Sequence, residues 1–279
     1  MKPYVEFPYL NLKLNIDRVA FSIFGIDIYW YGLIIATGLI LGALLASKIA
    51  QKKGLKSDNI LDVVIIGLPV CVICARLYYV AFEWEKYSGN IAEIFNIRNG
   101  GIAIYGAIIG GFVTGAVYCK VKKISFLKLA DAASFGLLTG QIIGRWGNFF
   151  NQEAYGSNTA LPWGMTGSRI ISDLQKMQAN GIDINPEIPV HPTFLYESLW
   201  NLCVLGVIYY IFKNKHKFDG IEFFTYISLY GVGRFFIEGL RTDSLMFMGL
   251  RVSQIVALVC FAFGFGMIIY KSVTIKKLA

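Results

Sequence analysis

Seven long apolar segments limit what this chain of 279 residues can fold into. A bilayer core is about 30 Å thick, and roughly 20 apolar residues in a helix cross it with every backbone group bonded internally. Hydrophobic residues make up 56% of the chain and charged residues only 16%, too apolar for a water-soluble domain. The sequence therefore predicts an all-α polytopic membrane protein with about seven transmembrane helices. The predicted spans are residues 28–47, 60–82, 102–119, 130–150, 194–212, 221–238 and 252–270, of which the third and sixth are short or polar at one end.

Lysines follow every second span, and this pattern predicts the orientation. Cytoplasmic loops collect Lys and Arg near the ends of spans. We therefore expect the amino terminus outside and the carboxyl terminus in the cytoplasm. The net charge of +8 is explained by this topology, so no nucleic-acid partner is expected. The basic groups are Lys48, Lys52, Lys53 and Lys56, then Lys120, Lys122, Lys123 and Lys128, then Lys213, Lys215 and Lys217, and finally Lys271, Lys276 and Lys277.

The chain is predicted to form a single integral membrane domain, residues 1–279. One long polar connection, residues 151–192, joins the fourth and fifth spans and should form a small extracytoplasmic head. The sequence contains no internal repeat and no inverted symmetry between its halves, features that many transporters show.

Polar residues gather at the outer ends of two spans. Arg145, Asn148 and Asn151 follow one another at spacings of three at the end of the fourth span. Arg234 and Glu238, with Arg241 after them, share one helix face at the end of the sixth. Ionisable groups at such depth usually face a cavity and mark function. The alternative is that the arginines anchor the helices at the interface and that Arg234 merely pairs with Glu238.

The residue types at these ends favour an anion site. Arginines without obvious carboxylate partners bind phosphate well, because a planar guanidinium donates two charge-assisted hydrogen bonds to its oxygens. Phospholipid headgroups lie at this depth. The sequence has no P-loop, HExxH motif, GxSxG elbow or Cys/His metal constellation, and with two histidines in the chain no metal and no cofactor is expected.

Four motifs resemble one family. The stretch GRWGNFFNQEAYG at residues 144–156 is similar to GRxGNFxNxExxG, the signature of the prolipoprotein diacylglyceryl transferases. WYG at 30–32, HPTFLYE at 191–197 and RFFIEGLRTD at 234–243 occur in the order found in that family and cover nearly the whole chain.

The resemblance implies a transferase of lipoprotein biosynthesis in the bacterial cytoplasmic membrane, with its active site towards the extracytoplasmic face. The family moves the diacylglyceryl group of phosphatidylglycerol onto the lipobox cysteine of a prolipoprotein signal peptide, forming a thioether and releasing glycerol phosphate. Its partners are therefore these two substrates and membrane lipids. The implied catalytic residues are Arg145, Arg234, Glu238, Tyr105 and Tyr31, and the implied substrate-binding residues are Arg145, Asn148, Asn151, Glu153, Gly156, Arg241 and His191.

Tyr105 departs from the pattern of some members, which have histidine at this position. An unperturbed tyrosine has a pKa near 10 and is a poor general base at neutral pH. The group that accepts the proton of the substrate thiol therefore has two other candidates, Glu238 and the phosphate of the lipid.

A carrier or flippase for an anionic lipid or solute is the second function to weigh. It would use the same arginines for binding. Alternating access, however, predicts repeats, broken helices and polar groups near the middle of the membrane, whereas the polar groups here lie towards one face.

The predicted topology can be tested with a thiol probe that does not cross membranes. Cysteines introduced at Gly181 and Ser244 should react from outside. Cysteines at Ser57 and Asn214 should not react, because these two positions lie in the lysine-rich connections that are predicted to be cytoplasmic. The reverse labelling pattern would contradict the orientation and the placement of the polar groups.

Overall fold

The computed structural model of the protein describes residues 3–89, 91–96, 100–242 and 245–278. Ser244, chosen above for labelling, lies outside these residues, as does Asp243 of the last motif. The chain divides into two compact units, Met1–Gly42 with Ser134–Ala279, and Ala43–Ala133. They are called the first and second units below.

Helices account for most of the described residues, which confirms the predicted fold class. Those of 19 residues or more coincide with the seven predicted spans. The helices are α1 (Trp30–Lys52), α2 (Ser57–Phe82), α3 (Trp84–Tyr87), α4 (Ile104–Lys122), α5 (Phe126–Asn151), α6 (Ser168–Ala179), α7 (Thr193–Asn214), α8 (Ile221–Leu240) and α9 (Val252–Leu278). Six of the seven long helices are apolar enough to cross a membrane; the other, α8, carries Glu222, Arg234 and Glu238.

Short antiparallel strands, which the sequence did not predict, precede several helices. The strands are β1 (Tyr4–Phe7), β2 (Leu12–Asn15), β3 (Val19–Ile23), β4 (Ile26–Tyr29), β5 (Thr166–Gly167), β6 (Met246–Phe247) and β7 (Leu250–Arg251). In one sheet the order is β2–β1–β5, and two further hairpins, β3–β4 and β6–β7, lead directly into α1 and α9.

Glycines allow the helices of the first unit to approach closely. A Cβ atom at Gly42 of α1 would lie 2.6 Å from the carbonyl oxygen of Gly136 on α5. A Cβ at Gly264 of α9 would lie 2.6 Å from the carbonyl oxygen of Phe224 on α8. Lipid chains are as apolar as leucine, so close backbone packing between small residues contributes much of the association of such helices.

Residues 151–192 contain β5 and α6 and build a hydrophobic core with the amino-terminal strand. Val5, Ile170, Leu174 and Val190 are fully buried there. Val5 belongs to β1, and its pairing with Gly167 ties the amino terminus to this segment. The segment therefore packs like a small soluble domain, although it connects two long apolar helices.

In the second unit, Arg76 of α2 orders the segment that leads into α4. Its guanidinium donates hydrogen bonds of 2.6 to 3.2 Å to main-chain carbonyl oxygens and stacks over the ring of Tyr87. Because the acceptors are carbonyls from one short stretch, this side chain fixes the approach to α4 and the position of Tyr105 on its first turn. The accepting residues are Glu93, Ile94, Asn96, Gly100 and Gly101.

We expect Gly42→Ala to destabilise the protein by about 1 to 3 kcal/mol, because the added methyl group must push α1 away from α5. The matched control is Gly206→Ala on α7, where an added Cβ would meet no atom within 4 Å. That variant should be unchanged or slightly stabilised, since alanine favours helix. Apparent melting temperatures in detergent measure both, and equal behaviour would contradict the packing role of Gly42.

Candidate active site

Two arginines from different helices share one glutamate near the helix ends. Glu197 Oε1 on the first turns of α7 lies 2.5 Å from Arg145 Nη2 of α5, and its Oε2 lies 3.2 Å from Arg234 Nη1 of α8. Arg234 also contacts Glu238, with 2.6 Å between Nη2 and Oε2. The side chains of Glu197 and Glu238 are only 3% and 2% exposed, whereas that of Arg145 is 23% exposed. The carboxylates therefore lie beneath the guanidiniums, and Arg145 is the most accessible member.

A third arginine adds positive charge to this cluster. Arg251, the last residue of β7, donates a hydrogen bond to the main-chain carbonyl of Glu238. The three guanidiniums outnumber the carboxylates of Glu197 and Glu238, so these five residues together keep an excess of positive charge. Such a region attracts an anion, and its low dielectric makes the attraction stronger than in water.

Asn148 and Asn151 hold the carboxylate of Glu153. Their side-chain amides donate hydrogen bonds of 3.0 and 3.1 Å to the same oxygen, Oε1. The chain reverses after α5 through Gln152 and Ala154, both in the left-handed backbone region, and this turn brings Glu153 back beside the asparagines. The structure thus brings three of the predicted site residues together.

Gly156 has a packing role in this region. A Cβ atom there would lie 2.8 Å from His191 Cβ and 2.9 Å from the carbonyl oxygen of Leu240. Gly156 donates its N–H to the carbonyl of His191 and forms a β-bridge with Arg241. Only glycine lets these three segments meet, so it positions Arg241 and His191 beside the turn after α5.

His191 lies outside the membrane-spanning helices, two residues before α7 begins. Its Nδ1 lies 3.1 Å from the hydroxyl of Tyr196. Burial lowers the pKa of His191 below its usual value, so the imidazole is neutral at neutral pH. It therefore supplies a hydrogen bond rather than a positive charge.

Tyr31, on the first turn of α1, packs against α5. A Cβ atom at Gly147 would lie 2.8 Å from Cδ2 of the Tyr31 ring. Tyr31, Arg18 and Asn151 line an open groove of about 500 Å³. Tyr31 and Asn151 are therefore accessible from one groove.

Tyr105 belongs to the second unit, where it lies on the first turn of α4 with its ring 6.4 Å from that of Tyr78.

One expectation about the arginines was wrong. They do not lie away from carboxylates, because Glu197, which sequence spacing did not single out, contacts both of them. Glu197 ends the HPTFLYE motif, so that motif was the available signal. No sequence pattern pointed to Arg251, which reaches the cluster only through the fold.

Comparison with known proteins identifies relatives over most of the chain. A protein from Clostridioides difficile (strain 630) named phosphatidylglycerol--prolipoprotein diacylglyceryl transferase is 50% identical over 243 residues, 87% of this chain and 90% of that protein. One of the same name from Finegoldia magna (strain ATCC 29328 / DSM 20472 / WAL 2508) is 49% identical over 242 residues, 87% and 90% of the two chains. Another of that name from Lysinibacillus sphaericus (strain C3-41) is 43% identical over 274 residues, 95% of this chain and 96% of that protein.

A sequence profile covers the same region. The profile of the prolipoprotein diacylglyceryl transferases matches residues 18–270, which include the arginine cluster, the Glu153 turn, Tyr31 and Tyr105. With the helices, the cluster and these relatives in agreement, the chain belongs to the prolipoprotein diacylglyceryl transferase family.

Proposed function

We propose that this protein transfers the diacylglyceryl group of phosphatidylglycerol to the lipobox cysteine of prolipoprotein signal peptides, the first step of lipoprotein maturation. The observation that carries the proposal is the pair of arginines held by one buried glutamate, with Arg251 adding positive charge beside them. The names of its relatives give the same two substrates for those proteins.

The chemistry follows from the charge that the reaction develops. The thiol sulfur attacks the glyceryl carbon, a C–S bond forms, and the bond from that carbon to a phosphate oxygen breaks. Negative charge accumulates on the departing phosphate, where Arg145 and Arg234 donate to its oxygens and stabilise the transition state. The diacylglyceryl thioether and glycerol phosphate are the products.

The thiol proton needs an acceptor, because a free cysteine has a pKa near 8.5. The carboxylate of Glu238 is already paired with the guanidinium of Arg234, at 2.6 Å between Oε2 and Nη2. We therefore assign the proton to the departing phosphate oxygen, which gains negative charge as the thiol loses its proton. In this scheme Glu153, whose carboxylate is held by two amides, helps to bind the substrate and does not accept the thiol proton.

The proposed location is the bacterial cytoplasmic membrane, with the cluster at its extracytoplasmic face. The lysine pattern supports this orientation, because the helix ends that carry Arg145 and Arg234 are opposite to the basic ones. Residues 151–192 then form a head outside, within a single membrane domain, where a prolipoprotein approaches.

The proposal is tested by incubating the purified protein with phosphatidylglycerol and a lipobox peptide. Mass spectrometry should detect a peptide heavier by one diacylglyceryl group, attached through a thioether that resists reducing agents. Folded protein that gives no adduct but moves labelled phosphatidylglycerol between leaflets would support the carrier instead.

Lysine should replace Arg145 and Arg234 poorly. A lysine keeps the positive charge but loses the planar fork that places two hydrogen bonds on one phosphate. We expect each variant to retain its fold and lose most of its turnover, about 100-fold or more, with alanine worse. Arg169→Lys is the matched control, because Arg169 lies on α6 and is 40% exposed. Near wild-type turnover of both lysine variants at saturating lipid would show that these arginines have a structural role and do not hold the phosphate.

Glu197→Gln should impair stability as well as activity. The substitution leaves Arg145 and Arg234 adjacent without their shared carboxylate, and breaking a buried pair costs about 3 kcal/mol or more. We expect a lower melting temperature and turnover reduced with it. Glu187→Gln, at an exposed position, should change neither. An unchanged melting temperature in Glu197→Gln would show that the ion pairs do not hold the three helices together.

Tyr105→Phe should retain measurable transferase activity, because a tyrosine hydroxyl is a poor base at neutral pH. Loss of one hydrogen bond costs about 0.5 to 1.5 kcal/mol, or a decrease of roughly 2- to 12-fold. Turnover measured on the folded variant decides this. Complete inactivity would show that the hydroxyl transfers a proton.

A further inference from the structure

The β3–β4 hairpin, directly before α1, has one apolar and one polar face. Residues opposite each other in a sheet, and residues two apart along a strand, point to the same side. The pairing of β3 with β4 therefore places four apolar side chains on one face: Phe21, Ile23, Ile26 and Ile28. On the other face Ser22 lies opposite Asp27, and its hydroxyl donates to the carboxylate at 2.6 Å.

The apolar face of this hairpin is not covered by the rest of the described protein. Phe21, Ile23 and Ile26 are 48%, 49% and 67% exposed. Within the described residues, β3 and β4 pair only with each other. An isolated two-stranded hairpin is marginally stable in water unless it packs on something else. The apolar face therefore needs a partner from outside the chain.

The tip of the hairpin carries a phenylalanine in a backbone conformation that disfavours it. Phe24 and Gly25 form the two-residue loop, and both have positive φ, +50° and +78°. Such loops favour Asn, Asp or Gly at the first position, because a bulky side chain is strained in the left-handed region. Phe24 is also fully exposed. In water this residue costs free energy twice, through its backbone strain and through the hydration of its ring.

The hairpin is located where a membrane helix begins. β4 ends at Tyr29 and α1 starts at Trp30, with no residue between them. α1 is long and apolar enough to cross a membrane, so its first turn lies near the level where headgroups meet acyl chains. A strand rises about 3.3 Å per residue, so the tip of the hairpin stays within about 20 Å of that level.

We propose that the β3–β4 hairpin is a membrane anchor, with Phe24 and the apolar face among the lipids of the leaflet at which α1 begins. The Ser22–Asp27 pair on the other face then contacts water. Amphipathic helices lie at the boundary of headgroups and acyl chains in this way, buried about 5 to 10 Å deep. Lipid covers the exposed side chains and offsets the strain of Phe24, because the ring leaves water.

Lipid explains this face better than a protein partner does. The bilayer surrounds the end of α1 at all times, whereas a protein substrate is bound only during turnover. Ile28 and Tyr29 of the hairpin also line the groove that contains Tyr31 and Asn151. An anchored hairpin therefore holds one wall of this groove at the lipid surface.

The test places a tryptophan on each side of the hairpin and measures which quencher reaches it. Phe24→Trp, Ile23→Trp and Ser22→Trp each add one indole to the five tryptophans of the chain. The variants are reconstituted without any peptide in vesicles of phosphatidylcholine and phosphatidylglycerol, with or without bromine on the acyl chains near the ester groups. The emission of wild-type protein is subtracted. We expect the added emission of Phe24→Trp and Ile23→Trp to be blue-shifted and mostly lost in the brominated lipid.

The opposite face and the head provide the controls. Ser22→Trp, next to Ile23 on the polar face, and Glu187→Trp, at an exposed position of residues 151–192, should be quenched by acrylamide in water and little by the brominated lipid. If Phe24→Trp does not fold, Ile23→Trp and Ser22→Trp decide the result.

Two outcomes would overturn the anchor. Acrylamide quenching of Phe24→Trp and Ile23→Trp equal to that of Ser22→Trp would place the whole hairpin in water. A blue shift that appears only after a lipobox peptide is added would assign the apolar face to the peptide. Neither outcome bears on the transferase reaction, because these measurements need no turnover.

Discussion

The carboxylate of Glu197 is the interaction on which the rest of this site depends. It bridges Arg145 of α5 and Arg234 of α8 from a third helix, α7. Without it, two guanidiniums would face each other in a region of low dielectric, where like charges repel strongly. With it, three helix ends are joined, and the guanidinium of Arg145 still presents part of its surface. The same contact therefore stabilises the fold and prepares a place for an anion.

Close backbone contacts determine whether these side chains meet. Gly42 lets α1 approach α5, and Gly156 lets the turn after α5 meet His191 and the end of α8. Tyr31 packs where Gly147 has no side chain. Preorganised donors contribute most to catalysis when they need not move as charge develops, so packing far from the reacting atoms supports the chemistry.

The sequence by itself determined the seven helices and the family, because long apolar segments have no other stable form in lipid and the motif at 144–156 is dense. It also located Arg145, Arg234 and Glu238, whose short spacings are local properties of helices. The same spacing allowed the pair of Arg234 with Glu238, whereas only the tertiary structure decided the partners from other elements. Glu197 and Arg251 come from α7 and β7, and the fold brings them to the arginines and to the main chain of Glu238. Helical periodicity fixes which residues share a face, whereas contacts between helices depend on packing that no local pattern encodes.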